Sequence, residues 1–179
     1  MENQPDKPKR SVSRPNKISN IAADLGGRVP PQAVDLERAV LGAMMLEKNA
    51  VTETVDILSA ESFYDPKHQY IFAVIKDLFG TSKPIDILTV TDKLKKNGEL
   101  EAAGGPSYIS QLTSRIASTA HVEYHARIIS EKHIKRELIR MSTEVMRDAF
   151  DDTNDVFDVL NKAEAVSYTH LTLPTTSRV

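Results

Sequence analysis

The stretch His121–Phe150 constrains this chain more than any other, because its apolar residues keep a helical spacing almost throughout. Val122, Ala126 and Ile129 form one stripe, and Ile134, Leu138, Met141, Val145 and Ala149 form a second. The step from 129 to 134 is five residues, where three or four would hold the phase. The segment therefore either kinks or breaks near Ser130–His133, or carries its stripe around the helix. Unbroken, about 29 residues would reach ~43 Å at 1.5 Å each. Such a rod protrudes from a small domain unless another helix packs on it. Thr153-Asn154-Asp155 supplies the cap of that second helix, which bears Val156, Phe157, Val159 and Leu160. The short turn between them makes an antiparallel helical hairpin.

The rest reads as helix too. Val34, Leu36, Val40, Leu41, Met44 and Met45 cover most of the circumference of a helix over about Val34–Glu47, which marks it as central and well buried. A short helix follows over about Ala50–Leu58. Asp65-Pro66 starts another, with Asp as N-cap and Pro at the first helical position. That helix carries Ile71, Phe72, Ile75, Leu78 and Phe79 on one face and ends at Gly80. Thr89-Val90-Thr91-Asp92 resembles a capping box that opens a helix to about Asn97, with Gly98 placed as a C′ glycine. After Gly104-Gly105-Pro106, a further short helix bears Tyr108, Ile109 and Leu112. No convincing period-2 strand occurs. The fold class is all-α: a compact multi-helix globular domain followed by an antiparallel helical hairpin.

Four blocks stand in a distinctive order. They are Pro30-Pro31-Gln32-Ala33-Val34-Asp35-Leu36-Glu37-Arg38-Ala39-Val40-Leu41-Gly42-Ala43-Met44-Met45-Leu46, then Phe63-Tyr64-Asp65-Pro66-Lys67-His68-Gln69-Tyr70-Ile71-Phe72, then Pro84-Ile85-Asp86-Ile87-Leu88-Thr89-Val90, then Gly98-Glu99-Leu100 with Gly104-Gly105. Together they resemble the N-terminal domain of the bacterial replicative DNA helicase, the DnaB family, over roughly Arg28 to Ala165. The resemblance implies a collar on one side of a ring-shaped hexamer, with globular part and hairpin pairing between neighbours. It also implies recruitment of primase and contact with a helicase loader. Single-stranded DNA, ATP and Mg²⁺ belong to the intact cytoplasmic enzyme, whose motor unwinds the duplex.

No catalytic, cofactor or metal residue is expected within this stretch. A P-loop needs G-x-x-x-x-G-K-[S/T], whose amides and Lys hold the phosphates. The glycines at 26, 27, 42, 80, 98, 104 and 105 offer no pair at that offset, and none precedes a Lys. His121 and His125 lie four apart on a helix, but the series His121-Val122-Glu123-Tyr124-His125 is not H-E-x-x-H, so solvated helix histidines are the reading. His68 is expected to be packed or capping near the Asp65 turn. Asp35 and Glu37 are read as first-turn acids that complement the helix dipole. The candidate partner-interface residues lie on the hairpin: Arg127, Lys132, Ile134, Lys135, Arg136, Leu138, Met141, Phe157 and Leu160. On its charged face Glu131 would pair with Lys135, while Arg136 and Arg140 would repel. The bland alternative for those charges is a solvated face.

A second function class is a small helix-turn-helix DNA-binding regulator built from Thr89–Leu100 and Ser107–Ile116. Its reading helix offers only Gln111 and Arg115 to base edges, and the net charge of −2 gives no basic signature. Zero cysteines exclude disulfides and thiolate metal sites. The apolar runs are far too short for a membrane span.

Residues 1–28 read as a disordered basic arm, with Lys7, Lys9, Arg10, Arg14, Lys17 and Arg28 against Glu2, Asp6 and Asp24. Residues 29–117 form the globular helical domain, and 118–165 the hairpin and the start of a linker. Residues 166–179 change character. Val-Ser-Tyr-Thr-His-Leu-Thr-Leu-Pro-Thr from Val166 resembles the translated read-through of a transposase-type sequencing adaptor, so this tail is expected to be non-native and the chain to stop short of the motor.

Overall fold

The computed structural model describes residues 28–114 and 121–169. The chain divides into two units, Met1–Pro30 and Pro31–Val179, and every helix below lies in the second. The arm expected over 1–28 lies outside the described residues but for Arg28, and the tail expected over 166–179 lies outside them but for Val166–Thr169, which continue a helix.

The described residues form seven α-helices and one short 3-10 turn, with no strand among them. They are α1 (Val34–Leu46), α2 (Lys48–Thr54), the 3-10 turn (Ala60–Ser62), α3 (Pro66–Gly80), α4 (Ile87–Asn97), α5 (Gly105–Ser114), α6 (Val122–Phe150) and α7 (Val156–Thr169). Helix α1 is the central element, packed by α2, α3, α5 and α6. Its near-continuous apolar surface explains this: Val40, Leu41, Ala43, Met44 and Met45 are all buried. Around it gather Phe63 and Phe72, whose rings lie 5.0 Å apart, with Ile71, Ile75, Leu94, Ile109 and Ile129. Deleting one of these large side chains leaves a cavity worth about 3–5 kcal/mol.

Two boundaries differ from the sequence expectation. The second helix runs Lys48–Thr54 instead of Ala50–Leu58. It stops where the Thr54 hydroxyl turns back to donate to the Ala50 carbonyl at 2.6 Å, and Val55 and Leu58 reach the core from the turn that follows. The capping box of α4 is Asp86–Thr89, not Thr89–Asp92. Asp86 Oδ1 accepts from the Thr89 amide at 2.9 Å, and Thr89 Oγ1 accepts from the Asp86 amide at 3.0 Å. Asp caps at least as well as Thr, and Val90 and Leu94, one turn apart, lie in the core.

Asp65 caps α3 as expected, accepting from the Lys67 amide at 3.0 Å with Pro66 in the first turn. Helix α3 closes with a Schellman motif. The Lys83 amide donates to the Leu78 carbonyl and the Ser82 amide to the Phe79 carbonyl. The left-handed residue there is Ser82, at φ 53°. Helix α4 ends in the same way, but on Gly98 at φ 74°, where no Cβ resists the turn.

Helix α6 is continuous over 29 residues, so the five-residue step is a shift of the stripe and not a break. Val122, Ala126 and Ile129 join the main core. Beyond them α6 meets the 3-10 turn, and α7 folds back along it. The cap on α7 is Asp155, which accepts from the Phe157 amide at 2.7 Å. The helix runs to Thr169, four residues past Ala165.

Candidate interaction surface

A buried polar hub fixes the body from which the hairpin projects. Glu37 is 1 % exposed. Its carboxylate accepts from the Tyr64 amide at 2.8 Å, the Asp65 amide at 3.3 Å and His68 Nδ1 at 2.6 Å. A carboxylate already holding two backbone donors takes Nδ1–H as its third, which leaves Nε2 to pair with the Tyr108 hydroxyl at 2.6 Å. The chain α1–α3–α5 is thus threaded by Glu37, His68 and Tyr108. Burial pushes the Tyr108 phenol above its ordinary value. The space for that ring is kept by Gly104, since a Cβ there would lie 3.0 Å from Tyr108.

This corrects the sequence reading of Glu37. Asp35 is a first-turn surface acid, 96 % exposed and 3.3 Å from Arg38. Glu37 instead faces inward, three and four positions before Val40 and Leu41, and that spacing was the signal available in the sequence. His68 is packed near the Asp65 turn, as expected.

Arg136 joins the hairpin to the body. It donates to the Pro31 carbonyl at 2.9 Å and the Ser62 carbonyl at 2.7 Å, and its guanidinium lies 5.7 Å from the Tyr64 ring centroid. Burial holds it below its ordinary value. The expected repulsion between Arg136 and Arg140 does not arise, because the two turn different ways. Arg140 pairs with Glu137 at 2.9 Å and Glu144 at 2.8 Å. Arg136, a candidate for partner contact, is committed to contacts within its own chain.

The other candidates separate into three groups. Arg127 and Lys135 are surface partners of Glu123 and Glu131, as a solvated face requires. Lys132, Ile134, Leu138 and Met141 are partly covered. Ile134 and His133 line a groove of about 490 Å³ against Val55, Ile57 and Leu58. There burial, and then the Arg136 charge, push His133 below its ordinary value. Phe157 and Leu160 are open to solvent, at 71 % and 54 %. They are joined at the end of the hairpin by Met146, Phe150 and Val156, also large, apolar and exposed. The sequence already marks Val156 as an apolar residue of the second hairpin helix; Met146 and Phe150 are not among the candidates because they fall beside the α6 stripe and not on it. A cluster of this kind marks a contact surface.

His121 is exposed and His125 partly so. Among the described residues, no group of three or more His, Cys, Asp or Glu is placed to hold a metal ion. None of the described helices is long and apolar enough to cross a membrane.

Comparison with known proteins gives the following. The family described as "DnaB-like helicase N terminal domain" matches residues 29–131. The replicative DNA helicase DnaB of Rhodothermus marinus is 51 % identical over 139 residues, which is 78 % of this chain and 15 % of that protein. The DnaB of Geobacillus stearothermophilus is 38 % identical over 137 residues, 76 % of this chain and 30 % of that protein. The chain therefore spans less than a third of the length of these curated relatives. The crystal structure of the N-terminal domain of DnaB helicase from Mycobacterium tuberculosis superposes with a TM-score of 0.73 at 33 % identity, covering 79 % of this chain and 99 % of that one. A structure of a DnaB-like replicative helicase and its interactions with primase has a TM-score of 0.63 at 22 % identity, covering 74 % of this chain and 30 % of that one, a likeness of fold. The matched span takes in α4 and α5, so these helices belong to this domain and not to a DNA-reading helix-turn-helix regulator.

Proposed function

The chain belongs to the DnaB-like helicase N-terminal domain family, and from that premise we propose that it is the collar of a hexameric replicative helicase, pairing with neighbouring copies and recruiting primase in DNA replication. The observation that carries this reading is the hairpin, which extends beyond the core and leaves Phe150, Val156, Phe157 and Leu160 uncovered at its end. A solitary domain gains nothing from such a cluster, whereas a subunit of a ring needs apolar faces for its neighbours. A DnaB-like helicase of the same fold interacts with primase, and the same partner is proposed here. In the intact cytoplasmic helicase, a motor domain would bind ATP and Mg²⁺, move along single-stranded DNA and be delivered by a loader. The residues of the collar bind and orient, and no chemical step is assigned to them.

The test is calorimetric titration of the chain with primase from the same organism, beside sedimentation of the chain alone. The reading expects a saturable complex and concentration-dependent self-association. A chain that stays monomeric at high concentration and gives no heat with primase sinks it.

A further inference from the structure

The body carries a feature that the collar reading does not use. A pocket of about 640 Å³ opens between the α1–α2 junction and the α3–α4 loop. Val51, Phe79, Pro84 and Ile85 give it apolar walls, one of them aromatic, and Lys48, Ser82 and Lys83 stand around them. A cavity of this size, mostly apolar with a few polar groups converging on it, is built like a site for a small organic molecule.

Charge narrows the kind of molecule. Lys48 and Lys83 are exposed, and neither has an ion pair among the described residues. The acid within electrostatic reach of Lys83 is Asp77, which is already bonded to Lys93 at 2.9 Å. Two free ammonium groups match a phosphate monoester, whose charge near neutral pH is about −1.5 to −2. A single carboxylate would answer only one of them.

The backbone points the same way. Ser82 lines the pocket at φ 53°, a region where a Cβ is costly. Helix α4 makes the corresponding turn on Gly98 without that cost. Strained residues of this kind gather at ligand clamps, where the strain holds a group in position. The Ser82 hydroxyl has no hydrogen-bond partner among the described residues, so it is free to donate to an oxyanion.

We propose that this pocket binds a nucleotide, with the base against Phe79, Pro84 and Ile85 and the phosphate held by Lys48, Ser82 and Lys83. Stacking on an aromatic wall accepts any base, so the pocket discriminates by phosphate and not by base. No P-loop is involved: the cations come from the start of α2 and from the α3–α4 loop. A bound nucleotide ties that loop to α2 and gives the collar a ligand of its own.

The test is isothermal titration of the full chain with AMP, adenosine and inorganic phosphate. AMP should bind saturably, and adenosine and inorganic phosphate should each bind more weakly by roughly tenfold or more. Amide shifts on adding AMP should fall on Val51, Phe79, Ser82, Lys83 and Ile85. Lys48→Ala with Lys83→Ala changes two exposed positions, so it should keep its helical circular dichroism, and it should lower AMP to the affinity of adenosine. Ser82→Gly should weaken AMP severalfold while raising the thermal midpoint of the free chain, a pairing that a merely structural serine would not produce. Absence of saturable AMP binding overturns the proposal, as does AMP binding that the lysine variant leaves unchanged. Inorganic phosphate as tight as AMP leaves a bare anion site, and adenosine as tight as AMP leaves an apolar one; either result overturns the nucleotide. A hexapeptide of alternating Asp and Phe that displaces AMP and binds more tightly assigns the pocket to a protein partner instead. None of these measurements bears on self-association or on primase, so the collar reading stands or falls separately.

Discussion

Glu37 shows how much one side chain can hold in place. Its carboxylate is the shared acceptor for two backbone amides and an imidazole from a segment 27 to 31 positions away. Removing it strands three donors in a site that water does not reach. Glu37→Ala is therefore expected to cost about 3–5 kcal/mol, in the range for breaking a buried pair. Asp35→Ala, two positions earlier and exposed, should change stability by no more than ~0.5 kcal/mol. Urea denaturation of both variants measures the contrast, and equal midpoints would show that the hub is not structural. The sequence placed both acids in a first helical turn and offered the dipole as their common reason. Only the spacing of Glu37 to Val40 and Leu41 told them apart. The donors that make its burial tolerable come from Tyr64, Asp65 and His68, and no local pattern announces a contact across that distance.

Among the elements, existence was legible throughout, and edges were legible at Asp65-Pro66, Gly80 and Gly98 but not for α2 or the start of α4. Every helix expected among the described residues is present, because apolar periodicity reports the buried face directly. Starts and stops depend on which of several adequate caps wins. At α4 the cap is Asp86, three residues before Thr89, with Val90 and Leu94 in the core. The five-residue step in α6 has its cause in packing. At 3.6 residues per turn it carries the stripe about 140° around the axis. The first stripe serves the main core, while the later positions serve the 3-10 turn and α7. A helix that changes partners along its length must change the face it presents. The Schellman closure of α3 supplies a prediction at this scale. Ser82 bears a Cβ in a backbone region that favours glycine. Ser82→Gly should relieve that strain and raise stability by up to ~1 kcal/mol, an upward shift of the thermal midpoint in calorimetry. A lowered midpoint would mean that the serine side chain contributes more than its backbone costs.

For the molecule as a whole, the question is how the hairpin is joined to the body. The family blocks Pro30–Leu46 and Phe63–Phe72 announced the domain, and they do so because they carry the hub and the central helix. They could not announce the interface. Of the nine candidates on the hairpin, Phe157 and Leu160 lie on the exposed end, Ile134 and Leu138 are partly covered, and Arg136 is turned inward. A charged residue at helical spacing looks the same in sequence whether it meets solvent, a partner or a carbonyl of its own chain. Arg136 bonds two carbonyls, those of Pro31 and Ser62. Arg136→Ala should cost about 1.5–3 kcal/mol, the range for hydrogen bonds to a charged group. The loss should be regional: amide exchange should quicken across the later part of α6 and in α7, with α1 and α3 unchanged. Uniform quickening would mean that body and hairpin unfold as one unit.

Helix α7 has no buried side chain among its described residues and packs mainly along α6. An element so thinly supported sits at the low end of a protein's local stabilities and opens before the rest does. What a neighbouring copy covers, it also orders, so in the proposed assembly a neighbour would add to the stability of this helix. The lifetime of α7 against a protease then becomes a function of protein concentration, and a cell could clear unassembled subunits simply because they are alone.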